Sequence, residues 1–128
     1  MIKPEVPHNE RERLSCVKKY QLLDTLPESD FDNITSLVAT ICDVPISLIT
    51  LLDTDRNFLK SHHGVDIQES PRDISFCGHA ILQEEDIFIV EDSRKDIRFK
   101  DNPLIDNFNA IFYAGVPLRN EEGLALGT

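Results

Sequence analysis

No stretch of this chain approaches the ~20 consecutive apolar residues that span a bilayer, and its first residues, Met1-Ile2-Lys3-Pro4-Glu5, hold no apolar run of the kind a secretion signal needs. Cysteine is scarce. Cys16, Cys42 and Cys77 make an odd set, and no two stand in a CxxC or zinc-type spacing. Such thiols suit a reducing compartment, where they act as small apolar groups. The chain therefore reads as cytoplasmic, or as the cytoplasmic part of something larger. Basic charge is also short: 13 Lys and Arg stand against 23 Asp and Glu, a formal net charge of −10. A surface that acidic repels nucleic acid and anionic lipid, which removes both as default partners. There is no Gly-rich phosphate loop, no nucleophile elbow and no plausible Ser-His-Asp order. Paired carboxylates occur only in turn-like segments. The reading is of a chain that is not an enzyme in its own right.

What is present is one ordinary domain. At 128 residues and 41% hydrophobic, the chain can bury roughly two-thirds of its unfolded surface without staples. The first periodic segment runs from about Asn9 to Leu23, with Leu14, Val17 and Tyr20 on a narrow stripe among Arg11, Arg13, Lys18 and Lys19. A second helix is marked by Phe31, Ile34, Leu37, Val38 and Ile41 on one face. Ser29 with Asp32 is the expected cap at its start, and Pro45 marks its end. Ile46 to Asp53 reads as a strand covered on both faces, and Asn57 to His63 as its more exposed hairpin partner ending at Gly64.

Residues 65–74 read as loop. Ser75 caps a short helix through Leu82, and Ile87 to Asp92 is a strand. Ser93 with Asp96 is expected to open one helical turn through Phe99, and Asn102 with Pro103 to open another carrying Leu104, Ile105 and Phe108. Phe112 to Leu118 reads as one strand with an edge or bulge at Pro117. After a turn at Asn120–Gly123, a last strand begins at Leu124. This pattern is α+β, a single sheet with helices on its faces.

The series Leu22-Leu23-Asp24-Thr25-Leu26-Pro27-Glu28, Ile41-Cys42-Asp43-Val44-Pro45-Ile46-Ser47, Asp53-Thr54-Asp55-Arg56, Ser70-Pro71-Arg72-Asp73-Ile74-Ser75-Phe76-Cys77, His79-Ala80-Ile81, Asp96-Ile97-Arg98-Phe99, Asn102-Pro103 and Phe112-Tyr113-Ala114-Gly115-Val116-Pro117-Leu118 has a familiar order and spacing. It resembles the GAF domains found N-terminally in bacterial sensor histidine kinases and diguanylate cyclases. The resemblance covers about Arg11 to Thr128. It implies a GAF/PAS-like fold: a central antiparallel sheet of five to six strands, terminal helices together on one face, and loops and short helices enclosing a pocket on the other. It also implies a single GAF domain over 1–128 that stops before the end of its last strand and its C-terminal helix, with the output domain outside the chain. Such a module senses a small molecule, a chromophore or a partner.

The candidate ligand-binding residues are Phe76, Cys77, His79, Asp92, Arg98, Asn102 and Tyr113. Each has a plainer reading. Cys77 beside His79 resembles the bilin-carrying cysteine of some GAF domains, but Gly78 intervenes, and a buried structural cysteine fits better. His79 and Phe76 share a helix face while Cys77 points elsewhere. His62 and His63 point to opposite faces of a strand and cannot chelate together. Asp92, Asp96, Arg98, Asp101 and Asn102 read first as capping groups, with Arg98 as the group to offer an anionic ligand. Arg72-Asp73 reads as an ion pair. Phe58, Phe76, Phe112 and Tyr113 read as core or pocket wall. No metal is expected, and no cofactor can be named. An unidentified small molecule is the expected partner. The alternative is a ligand-free dimerisation module, a homodimer formed through the N-terminal helix. A third reading, a thiol enzyme reducing free methionine sulfoxide, lacks a second thiol near Cys77.

Overall fold

The computed structural model describes all 128 residues. Helix α1 spans Glu10–Lys19, and α2 spans Ser29–Cys42. Glu10 and Glu12 in the first turn of α1, and Lys18 and Lys19 in its last, oppose the helix dipole favourably. The helix stops four residues short of the expected Leu23, because Gln21 (φ 54°) and Asp24 (φ 60°) turn left-handed. The start of α2 differs from expectation. Glu28 is the N-cap residue and offers no side-chain cap, while Ser29 is already helical. Asp32 is drawn away to the sheet, where its carboxylate accepts a hydrogen bond of 2.6 Å from Ser61. Asp43, at φ 52°, ends the helix two residues before Pro45.

The strands are β1 (Ser47–Leu52), β2 (Arg56–His63), β3 (Glu69–Pro71), β4 (Phe88–Val90), β5 (Tyr113–Gly115), β6 (Leu118–Arg119) and β7 (Ala125–Gly127). Five of them form one antiparallel sheet in the order β3-β2-β1-β7-β6, within the expected five to six. The remaining pair, β4 and β5, makes a small separate sheet. Two expectations are corrected here. The 65–74 loop carries edge strand β3 and a 3-10 turn at Arg72–Ile74. The single strand expected over 112–118 is two strands in two sheets. The chain crosses between them at Val116–Pro117, where proline removes a ladder donor. Short helices α3 (Phe76–Ala80) and α4 (Pro103–Phe108) complete the fold.

Gly64 (φ 83°) leads β2 into the next loop. A Cβ there would lie 1.9 Å from the Pro45 carbonyl oxygen, so only glycine fits. Gly127 plays the same part between strands. Its Cβ would lie 1.8 Å from the Thr50 carbonyl oxygen, where β7 closes on β1.

The sheet divides the core in two. On one face, Val17 of α1 packs with Leu51, Phe58, Leu124 and Leu126. On the other, Leu52 and Ala125 meet Cys77 and Ile81 of the α3 segment, and Phe76, Ala80, Phe88, Val90 and Phe99 form a third cluster behind them. Helix α2 lies against β1 and β2 through Thr35 and Ala39. Its expected inward face, Ile34, Leu37, Val38 and Ile41, is exposed, and Phe31 is only half-buried. The reason is close approach: Thr35 Oγ1 sits 2.9 Å from Ser61 Oγ, a spacing that only small side chains allow.

The hairpin itself carries an irregularity. Register shifts between Ile49 and Thr50, which pair with Ser61 and Leu59, so Lys60 is an extra residue. Such a bulge re-aims a side chain. Lys60, almost fully buried, reaches the linker between the helices, donating to Thr25 Oγ1 and the Leu26 carbonyl at 2.7 Å each and pairing with Glu28 at 2.6 Å.

Candidate functional site

The layer between the sheet and the α3 and β4–β5 side is aromatic at its outer end and polar at its inner end. Phe76 stacks on Phe99 with centroids 4.2 Å apart and planes 8° from parallel. Tyr113 stacks on the other side of Phe76 at 5.1 Å. Phe88 meets both Phe99 and Tyr113 edge-on. These rings place the Tyr113 hydroxyl beside the sheet.

There it joins a cluster around Cys77. The thiol is buried, and Thr128 Oγ1 lies 3.0 Å from Sγ, Asn57 Nδ2 and Tyr113 Oη 3.5 Å, and Thr50 Oγ1 3.6 Å. Sulfur is a weak acceptor, yet four donors converge on it. Asn57 Oδ1 has no hydrogen-bond partner although Asn57 is buried. Burial pushes the Tyr113 phenol well above its ordinary value, and its contact with Cys77 acts in the same direction. No Asp, Glu, Lys, Arg or His side chain bonds the Cys77 sulfur.

Of the sequence candidates, Phe76, Cys77 and Tyr113 meet directly. His79 touches the group only through Phe99, edge-on at 4.9 Å. Its Nε2 donates to the Ile2 carbonyl at 2.9 Å, and burial holds its pKa below the ordinary value. It is not among the groups that bond the Cys77 sulfur, and its Nε2 is turned to the N-terminal segment. Cys16 packs on the opposite side of the sheet with Leu51 and Phe58, and Cys42 is exposed, so no second thiol faces Cys77. No group of three or more His, Cys, Asp or Glu side chains comes together around a point where a metal ion could sit.

The polar run after β4 differs from expectation. Ser93 and Asp96 do not open a helical turn. Ser93 is fully buried and donates to the Ala110 carbonyl at 2.6 Å, and 93–101 is a series of turns. Asp92 and Asp96 instead repeat one device. Each carboxylate accepts the backbone N–H two residues on and grips the arginine there: Arg94 for Asp92, Arg98 for Asp96. Those hydrogen bonds hold Asp92 at about 2. Arg98 lies over Phe88 and Phe99 and pairs with Asp96 through Nε and Nη2.

Asn102 does cap α4, accepting from Leu104 N–H at 2.9 Å with Pro103 in the first turn. It also donates to the Ile74 carbonyl at 2.9 Å, tying α4 to the turn before α3. Asn102→Ala removes both bonds. The expected loss is about 2 kcal/mol in urea unfolding, and a loss under about 0.5 kcal/mol would show the tie to be idle.

Two features of the site escaped the sequence reading. The first is the N-terminal segment, which lies over α3. Ile2 N–H donates to the Arg98 carbonyl at 2.8 Å, Lys3 pairs with Asp73 at 3.0 Å, and Pro4 packs on Gly78. A Cβ at Gly78 would come within 2.7 Å of Pro4. The second is a buried ion triad. Arg72 pairs not with Asp73 but with Glu10, and Arg13 grips the same carboxylate at 2.9 Å. Arg13 is 1% exposed and Arg72 is buried too. Arg13 also points at the carbonyls of Ala125 and Leu126 on β7. Burial alone would raise the Glu10 pKa, but hydrogen bonds from Arg13 and Arg72 and their charges hold it at about 2. Finally, Phe112 is exposed and lines nothing, while Phe58 belongs to the core on the helix side.

A five-stranded antiparallel sheet with helices on one face and a closed, partly polar layer on the other defines a class of small α+β regulatory modules of signalling proteins. The chain belongs to the GAF domain family, whose pattern matches residues 27–128. It is similar to a cyclic di-GMP phosphodiesterase of Pseudomonas aeruginosa, 38% identical over 129 residues. That match covers 100% of this chain and 22% of the relative, so the chain spans about a fifth of that protein's length. No helix is long and apolar enough to cross a membrane.

Proposed function

We propose that the chain is the ligand-responsive, non-catalytic input module of a cytoplasmic protein that makes or degrades cyclic di-GMP. The carrying observation is the polar cluster of Thr50, Asn57, Cys77, Tyr113 and Thr128, set where a purely apolar core would be more stable. The relative's name supports the choice of output, a phosphodiesterase. A histidine kinase or a diguanylate cyclase is the other output that the family resemblance suggests. Assay of the intact parent protein for cyclic di-GMP hydrolysis, synthesis and autophosphorylation separates the three.

Native mass spectra of the chain purified from its own host and from a foreign one test the sensing role. A bound species of a few hundred daltons in either preparation is the expected result. A bare mass in both transfers the weight to the second reading, a homodimer. An observation favours that reading too. Val17 of α1 is fully buried within the chain, whereas α2 exposes Ile34, Leu37, Val38 and Ile41. A dimer would therefore use α2 at least as much as the N-terminal helix. A mass independent of concentration and equal to one chain would remove it.

A further inference from the structure

The small sheet β4–β5 is apolar on both faces. Phe88 and Val90 of β4 point inward to the aromatic cluster and are buried. Alternation turns Ile89 outward, where it stands directly opposite Ala114 of β5. Ile87 and Val116 continue that outward face at one end. Phe112, outside every core cluster, continues it at the other. An antiparallel sheet with one solvated face normally carries polar residues there. Here Ile87, Ile89, Phe112 and Val116 are each about half exposed, and Ala114 is exposed beside them.

Two further observations say what covers this face. The first is the backbone of β4, which is paired on one side only. Its ladder runs to β5, and residues 86–91 make no other hydrogen bond. Free N–H and C=O groups beside an apolar face are a template for an added strand. The second is charge. Glu84, Glu85 and Asp86 lead into β4 and Glu91 follows it. All four are exposed, and none is in an ion pair. The arginines nearby are engaged, Arg94 with Asp92 and Arg119 with the Gln83 carbonyl. A second copy of the chain does not suit this edge. Paired antiparallel about Ile89, it would set Asp86 against Asp92, and like charges across strands destabilise.

We infer that β4 is the docking edge for an extended segment of a partner protein, apolar at alternate residues and carrying Lys or Arg at both ends. The segment adds a third strand to β4–β5. It lays its apolar side chains beside Ile87 and Ile89, and its cations meet Glu84, Glu85 and Asp86 at one end and Glu91 at the other. This surface is separate from the Cys77 layer and does not depend on the domain holding a small molecule.

The test uses the whole chain and three fluorescein-labelled peptides. KKVTVTVKK is the probe, EEVTVTVEE reverses its charge, and KKVPPTVKK carries adjacent prolines that remove backbone donors from both edges of the strand. Anisotropy titration at low salt is expected to show saturable binding of KKVTVTVKK, at least about ten-fold tighter than either control. Deuterium uptake at residues 87–91 should slow when it binds. Ile89→Lys puts a cation in the middle of the face and should abolish binding. A second variant, combining Glu84→Gln, Glu85→Gln and Asp86→Asn, changes only exposed side chains. It should weaken binding by about ten-fold, and the difference from wild type should shrink as salt is raised. Equal binding of KKVTVTVKK and either control overturns the inference, as does unchanged uptake at 87–91 or binding that neither variant alters. No binding of any peptide overturns it too. A dimer in sedimentation velocity that Ile89→Lys dissolves gives the edge to a second copy, and the inference falls.

Discussion

Glu10→Gln should lower the stability of the domain by about 3 kcal/mol at pH 7. Glu10 sits between Arg13 and Arg72, both buried, and holds each through its carboxylate. Glutamine keeps the shape and loses the charge, so two guanidinium groups remain buried without a counter-ion. Removing one member of a buried set costs far more than the set contributes net, because the remaining charges are stranded. The pH dependence follows from the same carboxylate. Its pKa in the folded domain is about 2, against an ordinary value of 4.5. The unfolded chain therefore takes up a proton first as pH falls. The stabilisation is complete above about pH 5 and drains away between there and pH 2, amounting to about 2 kcal/mol once solvent screening is allowed for. Urea unfolding of wild type and variant at several pH values checks both parts. The difference between the two proteins should shrink as the solution is acidified below pH 4.5. A difference that stays constant down to pH 2.5 would mean that Glu10 is not the titrating group.

Phe99→Ala is expected to cost about 4 kcal/mol, the upper part of the range for a buried aromatic. Phe99 is 1% exposed. It stacks on Phe76, receives the edges of His79 and Phe88, and lies beneath the guanidinium of Arg98. It belongs to a run of turns with no regular secondary structure to hold it, so the ring is what fixes that run against α3. Phe112→Ala is the internal comparison. Phe112 is 58% exposed, and its loss should change stability by no more than about 0.5 kcal/mol. If the two substitutions cost the same, the aromatic stack does not hold the layer together. A second readout follows for Phe99→Ala. The protective stack over Cys77 loosens, so that thiol should react faster with a disulfide reagent, whereas Phe112→Ala should leave the rate alone.

The parts that were legible in the sequence are those whose signal is local. Ser75 and Asn102 cap their helices as residue type and spacing suggest. The β1–β2 hairpin follows from a doubly apolar run and a polar turn. The family was legible because many short motifs keep their order over most of the chain. What failed were signals that depend on a partner. A stripe of Ile34, Leu37, Val38 and Ile41 says that a helix has an apolar face, but not that its own sheet will cover it. Here the small residues Thr35 and Ala39 face the strands. Arg13 reads as one of several surface charges on α1; its burial rests on Glu10, which is nearby in sequence, and on the Ala125 and Leu126 carbonyls of β7, which only the fold brings to it. The Ser93–Asp96 spacing fits a cap, yet Arg98 two residues beyond Asp96 offers a stronger charge-assisted partner, and the turn forms instead. Of the candidate site, Cys77, Phe76 and Tyr113 were found from sequence. Thr50, Asn57 and Thr128 were not, since each is an unremarkable polar residue in or just after a strand until the sheet places it beside the thiol.

The extra residue at Lys60 gives β2 two clients. Before the slip, Asn57 addresses the buried thiol; after it, Lys60 and Ser61 address the helix linker and α2. Alternation along a strand normally keeps such a division fixed from end to end. A one-residue phase change lets a strand of eight residues present its near end to the layer around Cys77 and its far end to the helices. Deleting Lys60 would restore plain alternation and cut the ties of its ammonium to Thr25, Leu26 and Glu28, leaving the linker between the helices without that hold on the sheet.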